Sequence, residues 1–228
     1  RHFNAQMDCD TALTNKRVEG SVTDLVRAAR LQSKGTKLTF PIATFAYWQI
    51  ISNKRSRISE LKQLSDKMIA ITRYSATDYL ATLAIDSVHP KYDVYRVQIN
   101  DVNIRLKMLL NNEMDAVLLS EPQATRARLE GHVKLMDSRD KNVRLGVFAF
   151  RTEALKEPRR KQQLDLFIKA YNMAVDSINK NGVQHYKNLI IKNCGVDART
   201  VDALPKLRYQ HAGSPRKHDR NIANSIKN

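Results

Sequence analysis

The sequence predicts an α/β protein with a mostly parallel sheet, and three observations support this prediction. Segments typical of strands alternate with segments typical of helices along the first two thirds of the chain. Two strand segments, residues 67–72 and 114–119, are short apolar runs of the kind found in strands buried on both faces. The chain has 228 residues, of which 42% are hydrophobic, and this length suits one large domain or two smaller lobes.

Individual elements follow from hydrophobic spacing and from start and stop signals. The predicted strands span residues 17–22, 38–52 (as one or two strands), 67–72, 95–99, 114–119 and 145–150. The predicted helices span residues 9–16, 23–34, 58–64, 76–87, 101–110, 121–130, 158–181 and 183–193. Helix 158–181 has the clearest amphipathic stripe, which we expect to face the core: Leu164, Phe167, Ile168, Tyr171, Val175 and Ile178. The residues from Pro205 onward are rich in turn-forming and basic side chains.

The net charge of +16 is the one unusual feature of the composition. Such an excess is typical of proteins that bind nucleic acid, an anionic membrane surface or an acidic ligand. Residues 66–146 are nearly neutral, with 12 basic and 11 acidic side chains, so the flanking segments carry the excess. No zinc-finger, RNP or basic-zipper pattern accompanies it, and nucleic acid is therefore not the expected partner.

Several function classes are disfavoured. The longest uncharged run, residues 38–53, is too short and too polar to span a membrane. The chain contains no Gly-rich phosphate loop and no nucleophile elbow, and its six histidines show no metal-ligand spacing. We therefore predict no catalytic residue, no metal site and no cofactor. Cys9 and Cys194 are expected to be free thiols, with one disulfide as the alternative in an exported protein.

A Ser-x-x-[Asp/Gln] motif occurs three times, at residues 21–24, 75–78 and 120–123, each time after a predicted strand. The pattern is that of a capping box, and plain helix capping is one interpretation. The other depends on position, because ligands of α/β sheets bind at the carboxyl ends of the strands. Helix N-termini there present free N–H groups and a positive dipole end to an anion.

Around these motifs lie the residues that we expect to bind a ligand. The hydroxyls and carboxylates of the motifs, the neighbouring Arg and the nearby aromatic rings form the set: Thr23, Asp24, Tyr47, Trp48, Arg73, Tyr74, Ser75, Thr77 and Glu121. Arg73 would pair with an anionic head group, and the rings would form an apolar wall. The plainer alternatives are a solvated surface arginine and aromatic side chains of the core.

Four segments together resemble one protein family in their order and spacing. They are "NAQMDCDTALTNKRVEGSVTDL", "ISELKQLSDKMIAITRYSATDYL", "IRLKMLLNNEMDAVLLSEPQATRA" and "LDLFIKAYNMAVDSINKN". The chain resembles the type 2 periplasmic substrate-binding proteins of ABC importers, in the branch that binds sulfonates, nitrate and thiamine precursors. The resemblance covers most of residues 5–205.

The resemblance implies two α/β lobes joined by two crossing strands, with a small, anionic solute captured in the cleft between them. Lobe 1 would comprise residues 1–53 and 148–228, and lobe 2 residues 54–147, with crossings near Ser52 and Gly146. The family's chain usually begins with a strand and a helix that precede the segments seen here, so we expect lobe 1 to be incomplete at its N-terminus.

The implied function is that of the substrate-binding component of an ABC transporter, without catalysis. Its partners would be a small-molecule ligand and the ABC permease, and its location periplasmic or otherwise extracytoplasmic. A lipoprotein anchor or the permease would provide the only link to a membrane. Three alternatives remain: an enzyme like that of thiamine-pyrimidine synthesis, an effector-sensing domain of a LysR-type regulator, and a binder of anionic surfaces. The enzyme's Cys-rich segment and the regulator's DNA-binding helix-turn-helix are not present in this sequence.

Overall fold

The structure is a computed structural model that describes residues 2–226. Its α-helices are α1 (Gln6–Thr14), α2 (Leu25–Ser33), α3 (Ala76–Val88), α4 (Val102–Leu110), α5 (Gln123–Leu129), α6 (Pro158–Asn181), α7 (Lys187–Cys194), α8 (Ala198–Asp202) and α9 (Lys217–Ser225). Its strands are β1 (Gly20–Asp24), β2 (Leu38–Ala43), β3 (Trp48–Ser52), β4 (Met68–Ile71), β5 (Tyr95–Gln98), β6 (Ala116–Ser120), β7 (Val133–Asp137) and β8 (Gly146–Arg151). Within the described residues, no helix is both long and apolar enough to cross a membrane.

The chain divides into two compact units, each with its own sheet. Unit 1 contains residues up to 46, residues 144–185 and the residues from 206 onward, and unit 2 contains residues 47–143 and 186–205. The sequence therefore correctly predicted that the chain forms two units that combine strands and helices.

Unit 2 is built on a five-stranded sheet with the strand order β5-β4-β6-β3-β7. β4 runs parallel to β5 and β6, whereas β3 runs antiparallel to β6 and β7. Successive side chains of a strand point to opposite faces, and both faces of this sheet are covered. Ile69, Ile71 and Leu118 pack under α3 with Leu80. On the other face, a second cluster contains Ala70, Val117 and Leu119 from the strands and apolar residues from α4 and α5.

Unit 1 is built on a smaller sheet with the order β1-β8-β2, in which both pairings are antiparallel. One face packs against α1 and α2 through a small cluster that includes Leu13, Ala28 and Ala149. On the other face, Phe148 of β8 contacts Phe167 and Tyr171 of α6, with ring centroids 5.7 Å apart in both pairs.

Helix α9 is anchored to the start of β8 by one buried carboxylate. Asp219 is 1% exposed. It accepts hydrogen bonds from the backbone N–H of Arg144 at 3.1 Å and from Nε of Arg216 at 2.6 Å. The sequence predicts only a turn-rich segment here, because α9 is polar and its stability depends on this tertiary contact.

The sheets differ from the sequence prediction in two ways. Parallel pairing is confined to β4, β5 and β6, so the protein as a whole is not mostly parallel. Strand β7 was not predicted, since Val133 and Lys134 are exposed and give the segment little hydrophobic pattern. Strand β7 forms because it pairs with β3, and the paired residues are 81 or more positions apart along the chain.

The boundaries of the units also differ from the expected lobe boundaries. Strand β3 was expected in lobe 1, but it pairs with β6 and β7 and so belongs to unit 2. Residues 186–205 were also expected in lobe 1. They pack on unit 2, where Arg199 donates to the Leu129 carbonyl at 3.0 Å and Gln123 donates to the Cys194 carbonyl at 3.2 Å. Local hydrophobic pattern does not encode these long-range partners, which is why the boundaries moved.

The amphipathic stripe of α6 is less buried than the sequence predicts. Val175 is the one fully buried member, and Phe167 remains 42% exposed although it packs on Phe148 and Phe150. The helix period was predicted correctly, but the expectation that the whole stripe faces a closed core was wrong. The described part of unit 1 contains too few strands to cover a helix of 24 residues.

Candidate functional site

The candidate residues of unit 2 lie along one edge of its sheet, which we call the carboxyl edge. The parallel strands β4, β5 and β6 end there. Strand β3 begins there, since Trp48 is paired with Ser120 at the end of β6, and Asp137 at the end of β7 lies opposite Gln49. The pairing register therefore brings Tyr47 and Trp48 close to Glu121, although at least 73 residues separate them from it in sequence.

The second motif is a true helix cap. Ser75 is the N-cap of α3, and its hydroxyl accepts from the Thr77 N–H at 3.1 Å and donates to the Thr72 carbonyl at 2.6 Å. The Thr77 hydroxyl accepts from the Thr72 N–H at 2.9 Å. Both side chains are 4% exposed, so their hydroxyls stabilise the turn after β4. These hydrogen bonds are those of helix capping, the plainer of the two interpretations, and a role of Ser75 and Thr77 in ligand binding stays a prediction.

The residues just before this cap are exposed. Tyr74 has a left-handed backbone with φ 58°, a conformation that costs energy for a bulky side chain. Its N–H donates to Oδ2 of Asp78 at 2.9 Å, and its side chain is 45% exposed. Arg73 is also exposed, and within residues 2–226 it forms no ion pair. The turn therefore presents one cation and one aromatic ring to solvent at the carboxyl edge.

Glu121 holds the turn between β6 and α5. Its Oε2 accepts from the N–H of Thr125 at 2.9 Å and from the Thr125 hydroxyl at 2.6 Å. Its Oε1 accepts from the Tyr47 hydroxyl and from Nη2 of Arg128, both at 3.0 Å. The third motif was therefore misread, because Glu121 and not Ser120 supplies the carboxylate that satisfies the first turn of α5.

This contact continues into a closed ring of polar side chains, which we call the edge network: Tyr47, Gln49, Glu121, Arg128, Asp137 and Arg139. Arg128 donates to Gln49, and Gln49 donates to Oδ2 of Asp137 at 2.6 Å. Arg139 binds both oxygens of Asp137, at 2.9 and 2.7 Å. Its guanidinium carbon lies 3.9 Å from the centre of the Tyr47 ring, which closes the ring of contacts.

The edge network shifts the pKa values of Tyr47 and Asp137. Burial and the neighbouring Glu121 carboxylate raise the pKa of Tyr47 well above its usual value, so the phenol stays neutral. Burial pushes the pKa of Asp137 upward, but hydrogen bonds from Arg139 and Gln49 outweigh it and hold that pKa below the usual range. In the edge network a neutral phenol therefore lies between two ion pairs.

Of the edge network, the sequence predicts Tyr47 and Glu121 as site residues but not the other four members. Arg128 had a detectable signal, because Glu121, Thr125 and Arg128 follow one another at intervals of four and three residues, which is the spacing of one helical face. Asp137 and Arg139 had no such signal, since strand β7 was not recognised.

Trp48 and Tyr47 are less available than expected for an apolar wall. The Trp48 side chain packs against the core cluster of Ile50 and Met136. Its backbone N–H donates to the Ser138 hydroxyl at 3.0 Å. Tyr47 is 5% exposed under the Arg139 guanidinium. The exposed ring at this edge is Tyr74.

A buried arginine lies beneath the carboxyl edge and was not predicted. Arg105 is 5% exposed and donates to the carbonyls of Leu118 at 2.9 Å and Ile99 at 2.6 Å, and to the Thr72 hydroxyl at 2.9 Å. Burial lowers its pKa to about 10. Within the described residues, no carboxylate contacts its guanidinium, which bonds to carbonyl and hydroxyl oxygens, and the nearby charge of Asp101 offsets part of the lowering of its pKa by burial.

The two candidates of unit 1 behave differently from each other. Asp24 is the N-cap of α2 and accepts from the Arg27 N–H at 2.9 Å, so it is structural. Ser21, expected to open this motif, lies within β1 instead. Thr23 is 5% exposed, and its hydroxyl has no hydrogen-bond partner among the residues described. A buried unpaired hydroxyl is unusual and marks a place where a polar group of a ligand or a water is expected.

The chemistry of metal binding is not evident in the described part of the chain. No cluster of three His, Cys, Asp or Glu side chains among residues 2–226 is arranged to hold a metal ion. Cys9 and Cys194 are both free thiols, and burial raises the pKa of each.

Comparisons of sequence identify no relative: a scan against models of protein families and a search of curated proteins both find no match. Comparisons of structure do find similar proteins. The periplasmic aliphatic sulphonate binding protein SsuA from Escherichia coli is similar with a TM-score of 0.78 and 15% identity. The alignment covers 97% of this chain and 77% of that one.

Two further structures are similar to the same degree. The alkanesulfonate-binding protein SsuA from Xanthomonas axonopodis pv. citri, bound to MOPS, has a TM-score of 0.77 and 16% identity. The ligand binding component of an ABC-type import system from Staphylococcus aureus, with zinc bound, has a TM-score of 0.77 and 15% identity. Both alignments cover 97% of this chain and 77% of the other. The chain therefore has the α/β fold of the periplasmic binding proteins, as its segments predict.

Proposed function

We propose that this protein is the substrate-binding component of an ABC importer and that it binds a small anionic solute at the carboxyl edge of unit 2. The observation that carries the proposal is the charge of this edge within a binding-protein fold. Arg73 is exposed with no ion-pair partner among residues 2–226, and Arg105 lies beneath it with no carboxylate in contact. The N-terminus of α3 adds the positive end of a helix dipole.

The similar structures support an anion as the ligand class. Two of the three are described as binding proteins for aliphatic sulfonates, and the third as part of an ABC-type import system. A sulfonate is a compact anion with three acceptor oxygens, which suits a guanidinium and the free N–H groups of a helix start. Tyr74 supplies an exposed ring beside Arg73 that would contact the carbon chain of such a ligand.

Binding without catalysis also agrees with the edge network. Tyr47 stays neutral because its pKa is raised, Asp137 stays ionised because its pKa is lowered, and Glu121 is held by Arg128. A general acid or base works best with a pKa near the working pH, and neither shift moves in that direction. The network suits a rigid support for the edge better than proton transfer.

The partner would be an ABC permease, and the protein would act outside the cytoplasmic membrane, where such binding proteins collect their solutes. Thr23 of unit 1 is proposed as a separate polar contact, on the basis of its unpaired buried hydroxyl.

The test is isothermal titration calorimetry with butanesulfonate, nitrate, a neutral pyrimidine and a neutral amino acid amide. We expect butanesulfonate to bind, and Arg73→Gln to weaken its affinity by about tenfold or more, the loss of one charge-assisted hydrogen bond. Arg55→Gln is the matched control, because Arg55 is an exposed arginine that follows the other end of β3. Equal affinity in wild type and Arg73→Gln, or preferential binding of the neutral compounds, would contradict the proposed site.

A further inference from the structure

Most of the positive charge of this protein lies in unit 1, whereas the anion site proposed above lies in unit 2. Unit 1 contains 21 basic and 9 acidic side chains, which is a net charge of +12 out of the total of +16. A charge excess of this kind attracts anions to the surface that carries it. Four of these basic side chains line one cavity, whose lining residues all belong to unit 1.

This cavity of about 430 Å³ lies where β8 ends and β2 begins, beside the pairing of Arg151 with Leu38, and we call it the basic cavity. The residues around it come from the end of α1, from the turn between α2 and β2, and from the turn after β8. Among the described residues that line it are four basic side chains and one acidic side chain: Lys16, Lys37, Arg151, Lys156 and Glu153. Together these side chains give the cavity a formal charge of +3.

Within the described residues, one carboxylate of the cavity offsets these four cations. Nζ of Lys16 lies 3.4 Å from Oε2 of Glu153, and both side chains are largely exposed. Nε of Arg151 donates to the Val18 carbonyl at 3.2 Å, which is a neutral acceptor. Neither Arg151 nor either of the other two lysines forms an ion pair among residues 2–226. Three of the four cations are therefore left without a carboxylate in contact.

Two helix ends at the basic cavity account for only part of its positive charge. α1 ends at Thr14, and α2 ends two residues before Gly35, both of which line the cavity. The C-terminus of a helix carries the equivalent of about half a negative charge, so two such ends offset about one positive charge. A surplus of about two positive charges therefore remains. This surplus matches a dianion better than the monovalent sulfonate proposed for unit 2.

The side chains of the basic cavity carry hydrogen-bond donors that suit phosphate oxygens. The exposed Lys37 and Lys156 each carry an ammonium group with three donors. A guanidinium has five N–H donors, and among residues 2–226 Arg151 donates through Nε. Thr36 adds a hydroxyl to the lining. Arginine binds phosphate through two parallel hydrogen bonds, and lysine binds it as a point charge, so the set combines both modes.

We propose that the basic cavity binds a phosphate monoester through its dianionic phosphate group. Near neutral pH such a group carries a charge of about −2 and three acceptor oxygens, which match the surplus charge and the donors of the cavity. A volume of about 430 Å³ is in the range of sites for small organic molecules, so it also accommodates the organic part of the ester. The same phosphate group occurs in soluble esters such as glycerol 3-phosphate and in the lipid phosphatidic acid.

Two assays of the full chain distinguish these sources. Isothermal titration calorimetry with glycerol 3-phosphate tests the soluble ester, and co-sedimentation with phosphatidylcholine vesicles that contain phosphatidic acid tests the lipid. We expect saturable binding in at least one assay, and the assay in which it occurs identifies the source. Vesicles with phosphatidylglycerol at the same surface charge control for non-specific attraction, because the phosphodiester of that lipid is a monoanion.

Exposed lysines provide variants that leave the fold intact. The double variant Lys37→Gln/Lys156→Gln removes two charges that form no ion pair among the described residues, and it should weaken phosphate affinity by about tenfold. Lys34→Gln/Lys161→Gln is the matched control, because it removes two exposed lysines of unit 1 that do not line the cavity. Its affinity should change by less than about twofold. Circular dichroism of each variant confirms the fold.

Three results would overturn the proposal. One is the absence of saturable binding in both assays. The second is wild-type affinity in Lys37→Gln/Lys156→Gln. The third is an equal loss of affinity in the control variant or equal binding of the phosphatidylglycerol vesicles, either of which would mean that the diffuse charge of unit 1 attracts the anion.

The Arg73→Gln variant separates this proposal from the anion site of unit 2. It should leave phosphate binding unchanged, and Lys37→Gln/Lys156→Gln should leave butanesulfonate binding unchanged, because the two sets of residues belong to different units. Loss of phosphate binding in Arg73→Gln would place the phosphate in unit 2 and would contradict the basic cavity. Failure of either site therefore leaves the other one standing.

Discussion

Unit 1 and unit 2 combine strands and helices in similar ways, yet unit 2 buries its sheet far more completely. In unit 2 five strands separate two apolar clusters, and Ile69, Ile71 and Leu118 have no exposed surface. In unit 1 three strands carry α6, of whose 24 residues Val175 alone is buried. Helix α6 lies on the smaller sheet, and less of its apolar stripe is covered there.

The same contrast appears in the polar groups. The carboxyl edge of unit 2 has a closed network in which every named side chain contacts another. Unit 1 contains a buried Thr23 hydroxyl with no partner within the described residues, and β1 is an end strand whose outer edge pairs with no strand among them. The edge network of unit 2 is therefore internally satisfied, and Arg73 beside it is left without an ion pair among the described residues, whereas unit 1 keeps a buried hydroxyl without a hydrogen-bond partner.

The largest expected effect tests the core of unit 2. Leu80→Ala removes a fully buried side chain that packs under the sheet, and it should lower the free energy of unfolding by about 2–5 kcal/mol. Trp48, the single tryptophan, lies in unit 2, so its fluorescence during urea unfolding reports this change. Thr82→Ala on the same helix is the control, with an expected loss below about 1 kcal/mol. A loss that small for Leu80→Ala would mean that unit 2 is packed no better than unit 1.

The next effect tests α6 of unit 1. The sequence alone suggests a loss of roughly 3–5 kcal/mol for Phe167→Ala, the usual value for a buried phenylalanine. Because 42% of Phe167 is exposed, we expect about 1–2 kcal/mol instead, mostly from its contacts with Phe148 and Phe150. Hydrogen exchange of the β8 amides, monitored during urea unfolding, measures this loss of unfolding free energy. A loss of the full buried value would show that the stripe is covered after all.

The smallest expected effect is on pH dependence, and its sign is opposite in the two units. In unit 2 the lowered pKa of Asp137 stabilises the fold above its unfolded-state pKa of about 4, and this contribution is lost as the pH falls towards the lower folded-state pKa. Asp137→Asn should therefore make unfolding of unit 2, followed by Trp48 fluorescence, less sensitive to acid.

In unit 1 burial raises the pKa of Asp10 despite its contact with Arg27. Its favourable contribution is present below the unfolded-state pKa and is lost as the pH rises through the raised folded-state pKa. The stability of wild type relative to Asp10→Asn should therefore increase as the pH falls from about 6 to about 4. The same sign of pH dependence at both positions would contradict this contrast.

Much of the fold was predictable from local pattern. The buried runs that form β4 and β6 and the apolar spacing of α3 and α4 gave those elements within a few residues. Among the elements that the sequence does not predict, β7 and α9 carry several polar side chains, and they are held by partners far away in sequence.

The candidate site was predictable in part, for a related reason. Ser75 and Glu121 were found because capping and turn chemistry is local, and both take part in such turns. Gln49, Arg128 and Asp137 were missed because their contacts join β3, α5 and β7, and only pairing register makes these neighbours.

By itself the sequence determined that this is an α/β protein of two units, where most helices and buried strands lie, and which family of binding proteins its segments resemble. The tertiary structure decided the edge network, the buried charge of Arg105, the reassignment of β3 and residues 186–205 to unit 2, and the open edge of β1. The physical reason is that helix periodicity and capping depend on residues within one or two turns, whereas strand pairing and polar satisfaction depend on which distant segments the folded chain brings into contact.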